Sequence, residues 1–122
     1  MQPIMTPIIY GISNCDTVKK AKKWLDTNGV NYQYHDFRKD GLDSDTIASW
    51  LTEIDTEVLV NRRSTTWKQL SDEDKARAES DTAALLTQYP TLIKRPVLVT
   101  AKELLVGFKE ARYQQRLDED FQ

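Results

Sequence analysis

Two short strand-like segments, one apolar and one alternating, separated by an amphipathic stretch constrain this chain more than any other feature. Ile8 to Ile12 reads as a buried strand led in by Pro7. A polar turn at Ser13-Asn14 follows. From about Asp16 to Thr27, Val18, Ala21 and Leu25 then fall on one helical face with Trp24 beside them. Lys19, Lys20, Lys22 and Lys23 lie largely off that face and are expected to be solvated. Asn28-Gly29 supplies the stop signal. Asn31 to Phe37 alternates, with Tyr32, Tyr34 and His35 as strand formers. A strand, a helix of this length and a second strand make a crossover unit, which favours parallel strands joined right-handedly.

The middle of the chain reads differently. Arg38-Lys39-Asp40-Gly41 is a turn, and Asp43 or Ser44 can cap a helix in which Ile47, Trp50, Leu51 and Ile54 share one face. Glu57 to Asp81 is highly charged and reads as short helices anchored by Leu59, Trp67 and Leu70, with a capping-box-like Ser71-Asp72-Glu73-Asp74. Thr82 to Gln88 is a further helix ending before Pro90. Val97 to Thr100 and Leu104 to Val106 flank a tight turn at Ala101-Lys102-Glu103, so they form an antiparallel hairpin. A final helix is expected from about Lys109 to Leu117, followed by a frayed acidic tail from Asp118 to Gln122. The order is β-α-β, a helical middle, then β-β-α. A four-stranded mixed sheet with helices on both faces accommodates it. This is a thioredoxin-like α/β arrangement with a helical insertion between the second and third strands, at about residues 42–91 of a single domain covering 1–122.

Composition narrows the functional classes. At 122 residues with 39% hydrophobic and 30% charged residues, the chain can bury a core without disulfide staples. No apolar run reaches the roughly 20 residues that span a bilayer. Met1 to Pro7 lacks the basic and apolar segments of a signal peptide, so a cytoplasmic protein is expected. Basic and acidic residues number 17 and 19, and this near-balance argues against a general nucleic-acid or membrane-surface binder. One cysteine and one histidine exclude an intramolecular disulfide and a zinc site built from Cys and His alone.

That single thiol, Cys15, falls where the first strand gives way to the first helix. Unpaired N–H groups and the positive end of the helix dipole favour a thiolate at such a position. Thr17 is placed to add a hydroxyl hydrogen bond to the sulfur, whereas the carboxylate of Asp16 opposes a second negative charge. A dithiol site would need a second cysteine at position 18, which is valine, so oxidised Cys15 must be resolved by an external thiol, glutathione being the expected cytosolic one. Pro96 precedes the third strand, the slot that carries a cis-proline beside the active thiol in thioredoxin-like sheets. Arg95 adjoins it, and Arg62-Arg63 follow the apolar Val58-Leu59-Val60. Guanidinium groups there would grip an anionic substrate or support a thiolate. Trp50 and Trp67 fall at helical core positions, and His35 reads as structural or exposed.

Three separated segments carry a family resemblance: Ile9-Tyr10-Gly11-Ile12-Ser13-Asn14-Cys15-Asp16-Thr17, Asn61-Arg62-Arg63-Ser64-Thr65-Thr66-Trp67, and Lys94-Arg95-Pro96-Val97-Leu98-Val99. Together they resemble the arsenate reductase (ArsC)/Spx family, in particular its YffB-type branch, from about Ile8 to Leu117. The resemblance implies a thioredoxin-like reductase whose nucleophile matches Cys15, with glutathione as co-substrate, glutathione or glutaredoxin completing the cycle, and no bound cofactor or metal. Arg63 and Arg95 match oxyanion-binding arginines, and Asn14, Thr17 and Pro96 join them as candidate substrate- or glutathione-binding residues. Arsenate reductases carry a third arginine at or near the position of Phe108, and often a histidine where this chain has Gly11. Both losses favour glutathione or a glutathionylated thiol over arsenate. Spx-type members are regulators that bind RNA polymerase, generally with a Cys-x-x-Cys switch that Val18 removes here. Regulation and true arsenate reduction are the alternatives to a thiol reductase, and a monomer is expected.

Overall fold

The computed structural model describes residues 6–116. In chain order the elements are β1 (Ile8–Gly11), α1 (Asp16–Thr27), β2 (Gln33–Asp36), α2 (Ser44–Leu51), α3 (Thr56–Leu59), α4 (Thr65–Gln69), α5 (Asp72–Ser80), α6 (Thr82–Gln88), a 3-10 turn at Pro90–Leu92, β3 (Val97–Val99), β4 (Leu104–Val106) and α7 (Glu110–Arg116). Two compact units result. One combines the described parts of 1–40 and 95–122, and the other is 41–94. The expectations for Leu117 and for the tail, Asp118 to Gln122, lie outside the described residues.

The first unit holds a four-stranded mixed sheet in the order β2-β1-β3-β4. β1 and β2 are parallel, as a helical crossover requires, and the β1–β3 and β3–β4 pairs are antiparallel. The register aligns Tyr34, Ile9, Leu98 and Leu105 in one row across all four strands. Ala21, Trp24 and Leu25 of α1 and Tyr113 of α7 belong to the same core as Ile9, Leu98 and Leu105. Each large aliphatic side chain buried there contributes about 1.5–3 kcal/mol. The sheet and helices therefore come together in the thioredoxin-like order anticipated from the alternation of periods.

Local chemistry fixes the ends of these elements. Asn28 closes α1, Gly29 takes a left-handed φ of 68°, and the Val30 N–H returns to the Leu25 carbonyl at 3.0 Å. That backbone reversal needs a residue without a Cβ. In the β3–β4 turn the Thr100 hydroxyl accepts the Lys102 and Glu103 N–H groups at 3.2 and 3.0 Å and donates to the Glu103 carbonyl at 3.1 Å. β1 and β2 end one residue earlier than the sequence suggests: Ile12 and Phe37 are buried just past the strands, with the Phe37 N–H still donating to the Gly11 carbonyl at 2.9 Å.

The second unit is helical. Asp43 caps α2 by accepting the Thr46 N–H at 2.8 Å, and Ser71 caps α5 by accepting the Asp74 N–H at 3.1 Å. Such caps contribute about 1 kcal/mol each. α2 and α5 pack against α6, with Ile47, Trp50, Ala78, Leu85 and Leu86 buried. An antiparallel bridge joins Val60 to Ile93. Leu59 is fully buried as expected, but Trp67 and Leu70 are only half-buried. Trp67 is not a core residue: its ring lies under the Arg62 guanidinium at 5.4 Å and the Lys75 ammonium at 5.9 Å, so helical spacing there reflects cation stacking.

Candidate functional site

Cys15 is the N-cap residue of α1, with an extended backbone (φ −105°, ψ 120°), and its carbonyl accepts the Lys19 N–H at 3.1 Å. Its side chain is half-buried and makes no cap hydrogen bond. The first-turn N–H groups of α1 are therefore not spent on a side-chain cap. Asn14 and Thr17 are exposed. The Thr17 hydroxyl makes no hydrogen bond to the sulfur, because Cys15 caps the helix through its extended backbone and Thr17 is turned to solvent.

Gly11 ends β1, four residues before the thiol. A Cβ on Gly11 would sit 2.6 Å from Cγ2 of Val18, far inside any real contact. Val18 is 1% exposed. The valine in place of a second cysteine is thus a packing residue that presses the first turn of α1 onto the end of β1. The Arg95–Pro96 peptide bond is cis, as its place before β3 led us to expect. Pro96 is buried and its carbonyl accepts the Gly107 N–H at 2.8 Å. Because β3 runs antiparallel to β1, with Tyr10 opposite Val97, the next position puts Pro96 at the same end of the sheet as Gly11. Asn14, Cys15, Thr17, Arg95 and Pro96 are therefore residues of the first unit, and Arg95 is half-buried.

Three residues that sequence reading left out belong to the neighbourhood of the thiol. Tyr34 of β2 donates its hydroxyl to Asp36 at 3.2 Å, and the Lys22 ammonium stands 3.9 Å from the centre of its ring. Lys22 is thus half-buried over an aromatic face rather than part of the solvated lysine surface. Burial first, then the Asp36 charge and hydrogen bond and the charges of Asp40 and Cys15, push the Tyr34 hydroxyl up to about 12. It therefore stays a neutral donor through the physiological range. Burial also opposes ionisation of Asp36, but the Arg38 and Lys39 N–H groups, the Tyr34 hydroxyl and the Lys39 charge outweigh it and hold the carboxyl below its ordinary value. The available signal was Tyr and Asp two apart at the carboxyl end of a parallel strand, hence on one face. His35 faces the other way, with its ring 4.7 Å from that of Tyr10.

Arg63 lies in the second unit. Its N–H donates to the Asn61 side chain at 3.1 Å, and the Ser64 N–H and hydroxyl both donate to the Asn61 carbonyl, at 3.2 and 2.8 Å. Ser64 then caps α4 by accepting the Trp67 N–H at 3.1 Å. The Asn61 and Lys94 N–H groups donate to the Leu92 and Leu59 carbonyls, both at 2.7 Å, and anchor this loop. Arg62, Arg63 and Lys94 line a cleft of about 350 Å³ with Glu57 as its one carboxylate. Three cations against one anion suit an anionic group. Phe108, where a third arginine would fall in arsenate reductases, instead packs edge-on to Tyr113 with ring centres 4.8 Å apart. Among the described residues, no group of three or more His, Cys, Asp or Glu could hold a metal ion, and no helix is long and apolar enough to cross a membrane.

This geometry accords with known proteins. A protein of Haemophilus influenzae is 46% identical over 107 residues, spanning 87% of this chain and 94% of that one. The global transcriptional regulator Spx of Lactiplantibacillus plantarum is 30% identical over 105 residues, spanning 84% of this chain and 80% of Spx. The solved structure of a YffB protein superposes with a TM-score of 0.85 at 39% identity, over 90% of this chain and 97% of that one. An arsenate reductase (ArsC) related protein from Brucella melitensis gives 0.73 at 40% identity, over 94% and 97% of the two chains. The ArsC family model matches residues 10–116. With its thiol at the head of α1 and its cis-proline before β3, the chain belongs to the ArsC family.

Proposed function

We propose that this chain is a cytosolic thiol reductase in which Cys15 is the nucleophile and glutathione the external thiol. The observation that carries this reading is the placement of the only cysteine, half-exposed at the head of α1, with buried Val18 where a resolving thiol would stand. The Cys15 thiolate attacks the glutathione sulfur of a glutathionylated thiol. A Cys15–glutathione disulfide forms, and the substrate sulfur leaves as a thiolate that takes a proton from water. A second glutathione thiolate then attacks the glutathione sulfur of that adduct, releasing oxidised glutathione and returning Cys15 as a thiolate. In the net reaction, one disulfide is reduced and another forms.

Arg95, Asn14, Thr17 and the backbone beside Pro96 bind the glutathione moiety in this reading, and Arg63 serves as an anion-binding residue of the second unit. The arsenate reductase relationship of the Brucella melitensis protein supports redox chemistry in this family. The test is intact-mass analysis after exposure to oxidised glutathione. One glutathione adduct is expected, absent in Cys15→Ser and removed by added glutathione, with or without glutaredoxin. An unmodified wild-type protein would overturn the proposal.

A second reading, transcriptional regulation, is favoured by the similarity to Spx. It predicts specific retention of RNA polymerase subunits from cell extract and no turnover with glutathione.

A further inference from the structure

A second concave site lies on the far flank of α1 from Tyr34. Between α1 and α7 there is a cleft of about 520 Å³, within the usual size range of ligand sites. Its floor is aromatic. Trp24 and Phe108 both meet Tyr113 edge-on, at ring-centre separations of 5.5 and 4.8 Å, so one buried tyrosine braces both rings. Trp24 is only 8% exposed and Phe108 half-buried, which presents a shallow apolar surface held in fixed orientation.

The walls have opposite character. Lys20 and Lys23, one helical turn apart on α1, are exposed at the rim, and neither has an ion-pair partner among the described residues. The facing wall, from α7, carries Glu110 and Gln114. At a rise of about 1.5 Å per residue, the nearer lysine stands roughly 7.5 Å along the helix from Cys15, and Cys15 is not among the residues that line the cleft. The cleft is thus separate from the thiol.

We propose that this cleft is a docking site for an acidic peptide segment bearing an aromatic side chain. Carboxylates of such a segment satisfy the two lysines, its ring packs on Phe108 against the exposed edge of Trp24, and its backbone N–H groups meet Glu110 and Gln114. The space exceeds what one ring fills, so neighbouring backbone is accommodated with it. Polyphosphates fit less well, because they bring no ring for the aromatic floor and no N–H donor for Glu110.

The proposal is independent of what Cys15 reduces, and the experiment keeps the two apart. The full chain, labelled with nitrogen-15, is titrated with the blocked peptide acetyl-Glu-Asp-Phe-Glu-amide. Saturable shifts are expected in the amides of α1 from Lys20 onward, in the Trp24 indole and at Phe108, weakening with salt. Replacing the three acids by their amides, or Phe by Ala, should each weaken binding about ten-fold. Lys20→Gln/Lys23→Gln, two exposed changes, should do the same while leaving glutathione adduct formation at Cys15 unaltered. Absence of saturable shifts, equal binding of the neutral peptide, or equal shifts with a short oligothymidylate would each overturn it.

Discussion

Asp36 ends β2 with a carboxylate that is 3% exposed, and its surroundings explain why a charge is tolerated there. One oxygen accepts the Arg38 N–H at 2.8 Å and the Lys39 N–H at 3.2 Å, and the other accepts the Tyr34 hydroxyl. Its own N–H donates to Asp40 at 3.0 Å, and the Asp40 N–H returns to the Asp36 carbonyl at 2.8 Å. The turn after β2 is therefore organised around one ionised group, next to the tyrosine that feels the charge of Cys15. Asp36→Asn keeps an acceptor but loses the charge, so it should cost about 1–2 kcal/mol at neutral pH. The folded-state carboxyl titrates below its ordinary value, so its contribution is complete above the unfolded value and is lost as pH falls through the folded one. The wild type and Asp36→Asn should thus differ in urea stability at pH 7 and converge in strong acid. A gap that persists unchanged in acid would mean that shape, not charge, matters at this position.

At the scale of elements, α1 shows both what patterning reveals and what it conceals. Its bounds were legible because Val18, Ala21 and Leu25 repeat at helical spacing and Gly29 stops the helix through a conformation that glycine adopts freely. The cis bond before β3 was legible through its position alone. Cation–aromatic pairs were not, because a tryptophan at helical spacing looks the same whether it meets a core or, like Trp67, two cationic side chains. Nor could spacing show that Gly11 is small because Val18 fills the space above it. Gly11→Ala should therefore destabilise by about 1–3 kcal/mol, the overlap outweighing the usual gain from replacing a glycine. Val18→Ala in the same chain should recover part of that loss, a non-additive pair because the two groups share one contact. Denaturant melts of the four proteins test this, and a Gly11→Ala variant as stable as the wild type would show that α1 yields at no cost.

For the whole molecule, the question is which oxidised substrate the ArsC framework serves here. Arsenate concentrates its charge on four oxygens and calls for dense positive charge around the nucleophile. In this chain, the two positions at which the family resemblance would place further cationic groups are given over to packing. Phe108 braces Tyr113 in the core, and Gly11 is closed by Val18. Neither can become cationic without losing the contact made there. Glutathione spreads its charge over two separated carboxylates and an amine, and it demands less of any one position. With equal concentrations of arsenate and a glutathionylated peptide, each supplied with glutathione, we expect the peptide to be reduced at least about ten-fold faster, a transition-state preference of roughly 1.4 kcal/mol. Phe108→Arg should not reverse the order, since the added charge arrives with a lost aromatic contact and a less stable fold. Faster arsenate turnover in the wild type would show that the two lost cationic positions matter less than argued, and would return the chain to arsenate reduction.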